Sequence, residues 1–216
     1  MRADQPMSVV LCWHMHQPEY RDLRTGKALL PWTYLHAIKD YVDMAAHLEA
    51  EPRARAVVNF APILLEQIED YTAQLAEYLH DRGAIRDPLL AALAEPALPA
   101  SPKARLAIMA DCLRANRERM IARFEPYQRL ATMADWYLTH PDSMIYASNQ
   151  FLADLLVWYH LSWLAEHTRR KDDRVGHLQE KASGYSVHDR REPQDRCLSL
   201  HHASTEPGCG GARPRD

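Results

Sequence analysis

The chain has 216 residues, 47% hydrophobic and 25% charged, with a mean hydropathy of -0.44. These values describe a globular protein long enough to build a real core, and exclude a disordered tract or a membrane bundle. The formal net charge of -3 gives no pull toward nucleic acid or an anionic membrane, so neither is expected as a partner.

No stretch reaches the run of about 18 apolar residues that a membrane helix needs. Residues 1–6 are polar and carry Asp4, so they lack a signal-peptide core. Cys12, Cys112, Cys197 and Cys209 show no metal-site spacing. The expected compartment is the cytoplasm, where disulfides are rare.

Residues 8–13 (SVVLCW) form a short apolar, β-branched run that ends at a polar segment. The pattern predicts a buried strand with chemistry at its C-terminal end. Residues 32–48 place Leu35, Ile38, Val42, Ala45 and Ala46 at helical spacing, which predicts a helix packed on a sheet. Residues 55–60 (RAVVNF) read as the second strand. Pro62 suits the first turn of the next helix, which runs to about His80 and ends at Arg82-Gly83.

Strand, helix, strand, helix is the opening of an α/β fold with parallel strands. The alternation then stops. Residues 87–93, 102–123, 126–137 and 148–168 all read as helical, with Pro96, Pro99 and Pro102 marking a linker. A helical insertion over about 84–182 is therefore expected. Within it, Trp158 shares a helical face with Leu155 and Leu161, a core stripe. Ser186 is read as an N-cap with Asp189 in the first turn. Pro193 then breaks the pattern. Residues 193–216 hold three of the seven glycines and two of the four cysteines and no apolar period. They are read as a disordered or aberrant tail, a flexible terminus or a frameshifted gene end.

The chemistry concentrates at His14-Met15-His16-Gln17-Pro18. Residues two apart in a strand point the same way, so His14 and His16 share a side at the strand's end. In α/β barrels that end is the active-site face. Two imidazoles and the Gln17 amide there suit the hydroxyls of a sugar. Trp32, just before the first helix, can stack on a sugar ring or pack on the sheet. His36, Lys39 and Asp40 follow on the same helix, where a solvated face is the ordinary outcome. An alternative is a metal-dependent hydrolase, since an HxH pair on a first strand can hold zinc. That site needs further ligands, and His36, His47 and His80 lie on expected helices. No metal and no cofactor are expected.

The His16-Gln17-Pro18 motif, with His14 before it, resembles the first motif of glycoside hydrolase family 57. WHMHQPEYRD (13–22), LPWTYLHAIKDY (30–41), VNFAPILLEQIEDY (58–71) and DLLVWYHLSWL (154–164) are similar to the amylase and amylopullulanase-like branch of that family. The resemblance implies the N-terminal portion of an incomplete (β/α)7 barrel over residues 1–192, acting on α-1,4 or α-1,6 glucans or maltooligosaccharides with retention. A retaining mechanism needs two carboxyl groups about 5–5.5 Å apart. The family uses a Glu nucleophile and an Asp acid, and neither motif is present. Glu19 and Glu66, the acids nearest the matching segments, fit no catalytic motif. The expectation is thus a truncated chain, inactive alone, with His14, His16, Gln17 and Trp32 as substrate contacts. A non-catalytic glucan-binding remnant is a further alternative.

Overall fold

A computed structural model describes residues 9–81 and 83–190. Strand β1 (Cys12–Met15) pairs in parallel with β2 (Val57–Phe60), with Cys12 opposite Val57 and His14 opposite Asn59. The crossover between them is α1 (Trp32–His36), a π-helical turn over Ala37–Tyr41, and α2 (Val42–Ala50). The chain is mostly helical with a small two-stranded parallel sheet, an α/β arrangement.

The π turn has a visible cause. The Ile38 carbonyl accepts a hydrogen bond from the Ala165 N–H at 2.9 Å. A carbonyl turned out of its own ladder is what a π-bulge provides. One turn later, the Asp43 carboxylate accepts from the N–H groups of Glu166 and His167. These contacts fasten the crossover helix to the start of α8 (Glu166–Lys171).

After β2, the Ala61 N–H donates to the Met15 carbonyl at 2.9 Å, and α3 (Pro62–Asp81) begins. Pro62 takes the first helical position, where its missing N–H costs nothing. Asp87 caps α4 (Pro88–Ala94) by accepting from Leu89 and Leu90 N–H. Then come α5 (Pro102–Cys112), α6 (Glu125–Thr139), α7 (Asn149–Trp163), α8 and α9 (Asp173–Lys181). Two stretches expected as single helices are divided. The 102–123 stretch breaks where Asn116 accepts from Glu118 and Arg119 N–H and starts a π-helical turn. The 148–168 stretch breaks where Leu164 turns extended and Asp43 caps the restart. No third strand occurs among the described residues.

The core lies in the helices. Every α7 residue from 151 to 163 is buried, and Leu155, Leu156 and Leu161 are fully enclosed. Leu35, Leu75, Leu93, Met109 and Tyr127 join the same cluster. At roughly 1.5–3 kcal/mol per large buried side chain, this layer dominates the stability.

The sheet departs from expectation. The first strand, expected to be buried, is covered only at Met15, which is 5% exposed. Leu11 and Val57 are each 52% exposed, and Phe60 is 40% exposed. Parallel sheets are normally covered on both faces. Here Met15 is covered and Trp13 partly so, while every β2 residue is exposed, so apolar side chains of the sheet stand in solvent. The N-cap read at Ser186 is present, and with Asp189 it forms a reciprocal capping box. Ser186 Oγ accepts from the Asp189 N–H, and the Asp189 carboxylate accepts from the Ser186 N–H. Arg82, Pro193 and the 193–216 tail lie outside the described residues.

Candidate functional site

His14 and His16 come together at the end of β1. Their rings stack with centroids 5.9 Å apart and planes 12° from parallel, and both residues are exposed. The parallel register sets Asn59 beside His14. The His14 Nδ1–H donates to the Asn59 Oδ1 at 2.6 Å. That bond places a proton on Nδ1, so in the neutral ring Nε2 is the acceptor. No other partner for either imidazole exists among the described residues. The face therefore presents hydrogen-bonding nitrogens to solvent.

The amide beside the histidines belongs to Asn59, whereas Gln17 turns the other way. Gln17 has the parity of Met15, the buried position of the strand. Its Oε1 accepts from the Tyr20 hydroxyl at 3.0 Å, and its Nε2 donates to the Tyr41 hydroxyl at 3.3 Å. Burial raises both phenol pKa values above the ordinary range, which keeps both hydroxyls protonated. Buried Gln67 pins the turn that follows. It accepts from the Tyr20 N–H and the Thr33 hydroxyl and donates to the Pro18 carbonyl.

Tyr20 leads from this network to a cleft of about 410 Å³ lined by Tyr20, Trp32, His36, Arg114, Asn116 and Trp163. Trp32 is half-buried there and rests on Trp163, with ring centroids 5.8 Å apart. Trp163 is 6% exposed and meets the edge of His36 at 5.4 Å. His14, His16 and Gln17 do not line this cleft. Thus Trp32 occupies a separate place from the strand-end histidines, joined to them through Tyr20 and Gln17.

His36 does not sit on a plain solvated face. Its Nδ1–H donates to the Asp40 carboxylate at 2.5 Å. Helical i,i+4 spacing brings the two side chains together. Lys39 reaches the other Asp40 oxygen at 4.0 Å.

The acids nearest the matching segments in sequence are committed elsewhere. Glu19 and Glu66 both accept from one nitrogen of Arg21, at 2.6 and 3.0 Å. Asp70 approaches the same guanidinium at 3.7 Å. The hydrogen bond from Arg21 holds the Glu19 carboxyl below its usual range. A carboxylate so held neither delivers a proton at neutral pH nor attacks freely. Nor do the described residues hold a cluster of three or more His, Cys, Asp or Glu able to bind a metal.

Trp158 and His160 act as core groups. The Trp158 indole donates to the Ala182 carbonyl. His160 donates from Nδ1 to the Leu156 carbonyl and accepts at Nε2 from the Tyr34 hydroxyl. Burial pushes its pKa down to about 4.

No family model, curated protein or solved structure matches the chain. The fold and its polar features define an α/β chain with an exposed imidazole pair and an aromatic cleft. Among the described residues, no helix is long and apolar enough to cross a membrane.

Proposed function

We propose that this chain carries the sugar-gripping portion of a retaining α-glucan hydrolase or transglycosidase resembling glycoside hydrolase family 57. Its partner is an α-glucan or maltooligosaccharide in the cytoplasm. The observation that carries the reading is the exposed His14–His16 stack, with His14 oriented by Asn59. Sugar hydroxyls both donate and accept, so two stacked imidazoles, one of them oriented by Asn59, suit neighbouring hydroxyls.

The open sheet supports the barrel part of the proposal. A two-stranded parallel sheet with Leu11, Val57 and Phe60 in solvent has apolar surface for further strands to cover. Catalysis is not assigned to the described residues, because Glu19 and Glu66, the acids nearest the matching segments in sequence, are tied to Arg21.

Calorimetric titration of the full chain with maltotetraose tests the reading. The expected result is saturable binding, weakened about tenfold or more in the double variant His14→Ala, His16→Ala. Equal affinity in that variant contradicts the assignment. Stoichiometric zinc bound at these histidines contradicts it in favour of the metal alternative.

A further inference from the structure

The cleft beyond Tyr20 has a feature that the strand-end histidines lack, namely an aromatic wall beside an oriented acceptor. Trp32 supplies a half-buried ring face, held from behind by buried Trp163. His36 lines the same cleft and packs edge-on against Trp163. Asp40 takes the Nδ1 proton of His36 at 2.5 Å. A carboxylate accepts only, so Nδ1 carries a proton, and in the neutral imidazole Nε2 is then the acceptor. No partner for Nε2 exists among the described residues. Asn116 spends its carbonyl on Glu118 and Arg119 N–H, which leaves its amide NH2 to donate. The Arg114 guanidinium lies beside it, with Asp111 at 3.4 Å.

The polar groups around the ring face therefore differ in kind. Asn116 and Arg114 donate, and His36 accepts. A neutral pyranose fits this arrangement, with its apolar face on Trp32 and its rim of hydroxyls able to satisfy both kinds of group. A carboxylate or a dianionic phosphomonoester has no proton to give His36 Nε2, and fits worse.

We infer that the Trp32 cleft is a second sugar subsite, in which His36, set by Asp40, reads one hydroxyl of the stacked ring by accepting its proton. This inference rests on the glucan reading and deepens it. His36 is a specificity-determining residue and Asp40 a positioning residue. Losing one such hydrogen bond costs up to about tenfold in affinity.

The test measures binding of the full chain to maltotriose and to a panel of its mono-O-methyl ethers, each lacking one O–H donor. The native chain is expected to bind one member about tenfold more weakly than maltotriose. His36→Phe should lose that discrimination, with maltotriose itself bound about tenfold more weakly. Asp40→Leu removes the acceptor, so the imidazole is free to rotate and to carry its proton on Nε2 instead. This variant should then accept the disfavoured ether nearly as well as maltotriose, which a purely steric role for His36 cannot produce. If His36→Phe does not fold, Asp40→Leu alone decides. Discrimination that survives Asp40→Leu overturns the His36 assignment, while loss of maltotriose binding in the His14, His16 variant keeps the glucan reading intact. Absence of maltotriose binding by the native chain overturns both.

Discussion

Across the parallel ladder, the Asn59 side-chain oxygen Oδ1 accepts the Nδ1 proton of His14 at 2.6 Å, so the second strand sets which nitrogen of the first strand's histidine carries the proton. Asn59→Ala removes that anchor and lets the exposed imidazole rotate and change tautomer. The expected outcome is a maltotetraose affinity about three- to tenfold lower with stability nearly unchanged, read by calorimetric titration beside thermal melting. A fall in melting temperature without loss of affinity would assign Asn59 to the sheet alone.

The buried imidazole of His160 predicts an acid-sensitive fold. Its folded pKa lies near 4 against 6.5 for the free side chain, because burial disfavours the charged form. A depressed folded value means the unfolded chain binds the proton more readily. The stabilisation is fully present above pH 6.5 and falls away as the pH drops toward about 4. Integrated over that window it amounts to about 3 kcal/mol. Urea unfolding between pH 4 and 7 should show this slope, and His160→Gln should flatten it.

Placing the core in the helices predicts a sharp contrast between two apolar residues. Leu155 is enclosed in α7, and Val57 on β2 is half in solvent. Leu155→Ala should destabilise by about 2–5 kcal/mol through the cavity it leaves. Val57→Thr should change stability by less than about 1 kcal/mol. Chemical denaturation of the two variants checks this. Equal costs would mean that the sheet is covered in solution, as it would be by an associating copy.

Hydrolysis makes a further check. Glu19 and Glu66 share Arg21, so neither is a free carboxylate. Starch and maltooligosaccharide assays of the chain are expected to show no turnover above the uncatalysed background. Clear turnover, abolished by Glu19→Gln or Glu66→Gln, would make that ion-paired group the catalytic pair.

Much of the architecture is readable in the sequence, since local spacing decides it. The apolar positions at Leu35, Ile38 and Val42 encode the crossover helix, and Pro62 and Pro102 mark helix starts that are found. Alternation along a strand likewise puts His14 and His16 on one side. The same rule sends Gln17 to the opposite side, so its separation from the histidines was present in the parity. The His36–Asp40 pair was present too, as i,i+4 spacing. What could not be read depends on distant partners. Asn59 meets His14 only through the strand register. The π turn at Ile38 requires the Ala165 N–H, and the break after Trp163 requires Asp43. The apolar run at Val9 to Leu11 reads as buried from composition, yet burial depends on what covers it, and no described element does.

The most direct measurement follows the side-chain nitrogen and carbon resonances of the histidines as maltotetraose is added. The account predicts saturable shifts at His14 and His16, with His47 and His80, on the flanks of α2 and α3, unmoved. Unshifted His14 and His16 at ligand concentrations that saturate the chain would contradict it.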